Sequence, residues 1–155
     1  MDNPNPVVHE TAPRERGAIK TIENVTVDAV FEVLRDINDP EYPNSLEELA
    51  VVVRSQIFLT EDQKLLRVEY TPTVPHCSMA TLIGLCIRLQ LMRTIPYEYN
   101  LDVYITEGRH SAEDAINKQL NDKERVAAAL ENPHLMGVVE KCLATERQAG
   151  IALNV

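Results

Sequence analysis

The first 24 positions carry Pro4, Pro6 and Pro13 among scattered charges, with no sustained apolar period, and predict a flexible tail. Periodicity starts at Val25. Val27, Val30, Phe31 and Leu34 recur on one helical face behind Thr26, a capping residue, and predict a helix through about Asp36. Asp39-Pro40 ends it. The polar loop to Leu49 holds Ser45 and Glu48 at capping-box spacing, enough for a single helical turn. Ala50 to Leu59, rich in Val and Ile, predicts a strand, and Glu61-Asp62-Gln63-Lys64 its turn. Leu66, Val68 and Tyr70 then alternate with Arg67 and Glu69 as a second strand, antiparallel to the first because the link is so short.

Pro72 and Pro75 lack a backbone N–H and fix φ, so Thr73 to His76 is predicted to form an extended turn between strand and helix. Ser78 is the expected N-cap of a helix beginning at Met79, which places Cys77 just ahead of it. From Met79 to Arg93 apolar residues lie nearly all round the helix, the pattern of a central one. Tyr99, Leu101, Val103 and Ile105 alternate as a third strand, which Gly108 breaks. Ser111 and Asp114 at capping-box spacing predict a helix toward Leu120. Asn121-Asp122 would cap a helix from Lys123 to Glu131, and Asn132-Pro133 would start a last one with Leu135, Val138, Val139 and Leu143. The order is α-β-β-α-β-α-α-α. This is an α+β fold: a small, mainly antiparallel or mixed sheet covered by helices. Residues 1–24 form an N-terminal tail, 25–145 one domain, and 146–155 a C-terminal tail.

Composition adds exclusions. With 155 residues, 45% apolar and 25% charged, the chain has the size and balance of one soluble domain. No apolar run reaches the roughly 18 residues that span a bilayer, and Met1 to Pro6 is too polar for a secretory leader. A cytoplasmic protein is expected, with access to the nucleus as an extension and no membrane partner. A formal charge of −9 and a pI near 4.9 oppose direct binding to nucleic acid, which needs a basic surface. Cys77, Cys86 and Cys142 are odd in number and widely spaced, so they give neither a disulfide framework nor a complete zinc site.

Cys77 is the best candidate for chemistry. Unpaired N–H groups in the first turn of the following helix favour thiolate over thiol, which suits a nucleophile or a soft-metal ligand. A small buried residue in a tight turn is the bland reading. Cys86 on the apolar helix and Cys142 on the last one read as core. His76 is adjacent to Cys77, but neighbouring side chains seldom point the same way, and a hydrogen-bonded turn histidine is the plainer reading. His110 follows the third strand, where loops could bring it toward Cys77. Glu41, Glu47 and Glu48 are acidic loop residues suited to iron or a basic partner, and for Glu47 and Glu48 a solvated capping loop is the plainer reading. Asn117, Lys118, Asp122, Lys123, Glu124 and Arg125 form a candidate docking surface, against the bland reading of a solvated face.

Three stretches carry a resemblance: Thr71 to Cys86 (TPTVPHCSMATLIGLC), Asn38 to Leu49 (NDPEYPNSLEEL) and Ala115 to Pro133 (AINKQLNDKERVAAALENP). Together they resemble the cytosolic iron-sulfur assembly component 2 family, also called Galla proteins, from about Val25 to Cys142. Cys77 falls on the family's invariant cysteine, the residue on which its iron-sulfur role is thought to depend. His110 matches a Glu-Gly-Thr-His pattern in which Arg109 replaces the usual threonine. The resemblance implies an adaptor without turnover of its own. It would join a WD40 propeller protein and a HEAT-repeat adaptor in the complex that delivers [4Fe-4S] clusters to cytosolic and nuclear apoproteins, with a link to chromosome segregation through DNA-maintenance recipients. Whether Cys77 holds a transient cluster, a metal ion or nothing at rest is open, as is homodimer formation by the unbound chain. The alternative is a thiol enzyme or redox sensor with Cys77 as nucleophile. The lack of a nearby second cysteine counts against a disulfide oxidoreductase.

Overall fold

The alternation from Leu65 to Tyr70 becomes a strand, β2, with Leu66, Val68 and Tyr70 wholly buried and the residues between them partly exposed. In the computed structural model, which describes residues 21–144, β2 is the middle strand of three. β1 (Ile57–Thr60) pairs with it antiparallel, Ile57 opposite Val68. β3 (Asn100–Ile105) pairs parallel, Leu65 opposite Asn100 and Tyr70 opposite Ile105. Parallel neighbours need a crossover, and α2 (Cys77–Thr94) supplies it. The remaining helices are α1 (Val27–Leu34), α3 (Glu113–Leu120), α4 (Lys123–Glu131) and α5 (Pro133–Leu143). The predicted order and the mixed sheet of an α+β fold are both present.

α2 is central because nearly every face of it meets another element. It packs against α1, α3, α5 and β3, and Leu82, Ile83, Leu85, Cys86, Ile87, Leu89 and Leu91 are buried. Its polar members are satisfied inside: Gln90 Nε2 donates to the Val33 carbonyl at 2.9 Å, and Arg88 Nη1 to that of Leu101 at 2.8 Å. Gly84 allows the closest approach. A Cβ there would lie 2.4 Å from Leu120 Cδ1 and 2.7 Å from Tyr70 Oη.

Three boundaries differ from expectation, each for a local reason. Ala50 to Gln56 is not strand: Ala50 takes φ 55°, the Val51 and Val52 amides both donate to the Leu46 carbonyl, and a 3-10 turn covers Arg54–Gln56. Val51 and Val52 are buried as a loop, since an apolar run satisfies burial with or without a ladder. Ser78 does not cap α2. His76 is the N-cap, without a side-chain bond, and Cys77 is the first helical residue. α3 begins at Glu113 with Ala112 as its cap, because Gly108 donates to the Glu113 carboxylate and Ala112 to His110 Nδ1. Within the stretch expected to be tail, the Ile22 amide donates to the Thr94 carbonyl at 2.6 Å and Ile22 packs on the core. Residues 1–20 of the expected N-terminal tail, and residues 145–155, lie outside the described residues. The capping predictions at Thr26, Asp122 and Asn132 are realised, and Ser45 and Glu48 form a reciprocal capping box.

α3 closes the outer edge of β3 with side chains. Asn117 Oδ1 accepts from the Ile105 amide at 2.8 Å, and Asn121 Oδ1 from the Val103 amide at 3.0 Å. Asn121 Nδ2 returns a bond to the Val103 carbonyl at 2.8 Å. Their spacing of four puts both amides on one helix face.

Candidate functional site around Cys77

Pro75 fixes the approach and His76, at φ −68° and ψ 124°, holds the extended conformation of an N-cap, so Cys77 opens α2. Cys77 is exposed, whereas Cys86 and Cys142 are buried. Its carbonyl accepts from Thr81 Oγ1 at 2.7 Å, which secures the first turn. The amides of this turn, with no intrahelical partner, bring positive potential to the helix end where the sulfur sits.

Three loops meet near this end. The exits of β2 and β3 are tied together by the Thr106 amide, which donates to the Tyr70 carbonyl at 2.8 Å, and by Thr71 Oγ1, 3.3 Å from Thr106 Oγ1. Thr73, in the turn before Cys77, donates to Asp39 Oδ2 at 3.1 Å, while Asp39 Oδ1 accepts from the amides of Glu41 and Tyr42. Asp39 is buried and so fastens the Glu41 loop to the Cys77 turn. Reading Asp39-Pro40 only as a helix stop missed this role. An aspartate two residues ahead of the amide it accepts from was the available signal.

Of the other candidates, His76 is exposed beside Cys77 as the cap, and Glu41 is exposed on the loop that Asp39 holds. Glu47 is not a solvated loop residue: its carboxylate takes Arg35 Nε and Nη2 at 3.0 and 2.8 Å. Arg35 is buried; burial disfavours its charge, but the pairs with Glu32 and Glu47 outweigh that and raise its pKa. His110 is nine-tenths buried, and its Nδ1 accepts from the Ala112 amide at 3.0 Å. The neutral ring therefore carries its proton on Nε2, a donor rather than a metal-binding lone pair.

On the docking stretch, half-buried Asn117 accepts from the Ile105 amide at the β3 edge. Lys118, Lys123, Glu124 and Arg125 are exposed on α3 and α4; Asp122 caps α4 and pairs with Arg125 at 3.7 Å.

Cys86 and Cys142 meet where α2 packs on α5. Their mutual hydrogen bond, then burial, pushes the Cys86 thiol well above its usual range, and both are core. Among the described residues no three His, Cys, Asp or Glu side chains gather as a metal-binding group. Among the described residues no helix is long and apolar enough to cross a membrane.

No family model matches the chain. Individual relatives do. It is 49% identical to mouse cytosolic iron-sulfur assembly component 2B over 149 residues, covering 93% of this chain and 91% of the relative. It is 45% identical to Protein AE7 of Arabidopsis thaliana over 153 residues, 93% and 96% of the two chains. With the MIP18 family protein galla-2 of Drosophila melanogaster it shares 53% over 117 residues, 76% and 75% of the two. At such identity over most of both lengths, the chain belongs to the cytosolic iron-sulfur assembly component 2 family, the MIP18 or Galla proteins.

Proposed function

We propose that this chain serves cytosolic iron-sulfur protein assembly as an adaptor that presents one thiolate, Cys77, to a cluster in transit. Family membership supports the assembly role. The observation that carries the site is the exposure of Cys77 at the opening of α2 while the two other thiols are buried. A single exposed thiolate suits transfer, because a cluster held by few ligands from one side can be passed on. The reading includes no turnover of a substrate. Its partners are a WD40 propeller subunit, a HEAT-repeat adaptor and apoprotein recipients in cytoplasm and nucleus, with DNA-maintenance recipients as the route to chromosome segregation. Asn117, Lys118, Asp122, Lys123, Glu124 and Arg125 are the docking candidates on α3 and α4, all but Asn117 exposed. The assembly names of the relatives do not favour a thiol enzyme.

Cys77→Ser tests the reading. The fold and propeller binding should persist by size exclusion, while iron-sulfur occupancy of a recipient in the same cells is lost. A hydroxyl does not replace a soft thiolate on iron. Loss of binding together with delivery would make Cys77 an interface or structural residue, and unchanged delivery would remove it from the mechanism.

A further inference from the structure

The turn that leads into Cys77 gives up two backbone donors, because Pro72 and Pro75 have no N–H. Pro75, His76 and Cys77 are exposed. A segment of this kind opens readily unless its side chains fasten it. Two do so in its middle: Val74 is buried, and the Thr73 hydroxyl donates to Asp39 Oδ2 at 3.1 Å. The acceptor is itself fixed. Asp39 is 6% exposed, and its other oxygen takes the amides of Glu41 and Tyr42 at 2.8 and 3.0 Å. The Asp39 amide donates to the Asn44 carbonyl at 2.9 Å, and that of Asn38 to the Cys142 carbonyl in α5 at 2.8 Å. A buried carboxylate with its donors in place is a strong acceptor that does not move, so Thr73 ties the turn to the loop after α1 and through it to α5.

We infer that Thr73 is a positioning residue for Cys77: its bond to Asp39 holds the thiol at one place on the surface, where cargo and recipient meet it. This rests on the proposed function. Only Val74, Pro75 and His76 separate Thr73 from Cys77, so looseness at Thr73 passes straight into the opening of α2. The first hydrogen bond of that helix runs from the Ala80 amide to the His76 carbonyl at 3.0 Å, and it too depends on where the turn is held. Transfer between thiolates is sensitive to such looseness, since a misplacement of about 1 Å can slow a reaction about a hundredfold.

Two conservative variants separate this role from a merely structural one. Thr73→Val keeps the branched shape and removes the donor, whereas Thr73→Ser keeps the donor and removes a methyl. Full-length wild type, both variants and Cys77→Ser would be expressed in cells, with iron-sulfur occupancy of a recipient enzyme and co-purification of the propeller subunit measured together. Hydrogen exchange on the purified chains then compares the Ala80 amide with the β1–β2 ladder. In Thr73→Val, exchange at Ala80 should quicken about tenfold, the factor equivalent to about 1.4 kcal/mol, while the ladder and propeller binding stay as in wild type. Recipient occupancy should fall toward the level of Cys77→Ser, and Thr73→Ser should restore both readouts. Wild-type occupancy or wild-type exchange at Ala80 in Thr73→Val overturns the inference. So does loss of propeller binding or faster exchange in the ladder, which makes Thr73 an interface or folding residue. Failure of Thr73→Ser to restore occupancy also overturns it, since shape and not the hydroxyl is then what counts. If Cys77→Ser delivers as well as wild type, the proposed function itself fails, and the inference with it.

Discussion

The phenol of Tyr70 donates to the carbonyl oxygen of Ala80 at 2.6 Å, binding the last residue of β2 to the first turn of α2 across the loop that carries Cys77. Tyr70 is wholly buried, so this bond works without competing water. Tyr70→Phe should cost about 0.5–1.5 kcal/mol in chemical unfolding. The same residue shapes the alkaline limb of stability. Burial, with a smaller effect from Cys86, raises the phenol above its ordinary range. The folded chain then keeps a proton that the unfolded chain loses above about pH 10, so stability is full below that point and falls as pH rises. Urea titrations from pH 9 upward should show a shallower fall in Tyr70→Phe, by at most about 1.4 kcal/mol per pH unit. Parallel profiles would mean that Tyr70 does not set the limb.

Gly84→Ala should destabilise, although alanine is the better helix former by about 1 kcal/mol. The new methyl would meet Leu120 Cδ1 at 2.4 Å and Tyr70 Oη at 2.7 Å. Neither can withdraw: Leu120 is fully buried and Tyr70 is held by Ala80. Overpacking of this kind costs about 1–3 kcal/mol, enough to reverse the propensity gain. A raised melting temperature would show that α3 can slide away from α2.

Cys77 should alkylate before Cys86 and Cys142 in the folded protein, by mass spectrometry of the labelled peptides after a short iodoacetamide pulse. The other two thiols become reachable only through opening of the α2–α5 contact. Equal labelling at all three in native conditions would remove the contrast on which the candidate site rests.

Ile83→Ala should lower stability by about 2–5 kcal/mol, the range for truncating a buried large aliphatic. Ile83 is 1% exposed on the central helix. A loss within about 0.5 kcal/mol, as for surface changes, would contradict that position.

Asn121→Ala should expose the Val103 amide, which loses its side-chain acceptor. Hydrogen exchange at Val103 should then quicken while exchange in the β1–β2 ladder changes little. Unchanged exchange at Val103 would show that another group takes over.

Periodicity exposed most of this fold, because Leu66, Val68 and Tyr70, and the all-round apolar surface of α2, are signals of burial, and burial is what sequence reports best. It failed where one side chain had two uses. Val51 and Val52 are as apolar as a strand yet bend toward Leu46. Asn117 sits in a charged helical stretch, and nothing in its spacing shows that its side chain caps a strand. Ser111 has a capping spacing that His110 and Glu113 take over. The site divides in the same way. The place of Cys77 at the opening of α2 was legible from its neighbours in the chain, whereas the bonds of Asp39 and the unpartnered nitrogen of His110 depend on which loops meet in space.

The side-chain amides on α3 have a consequence for self-association. A bare strand edge is a template on which a second chain can add itself, and sheets must guard against unlimited growth. With Asn117 and Asn121 occupying the backbone of Val103 and Ile105, β3 offers no such template there, and growth of the sheet is restricted to the β1 side. β1 is only four residues long. A dimer of this chain built by edge-to-edge strand pairing would therefore have to form through that short edge, and removing both asparagines together would turn a capped sheet into one open to strand addition from either flank.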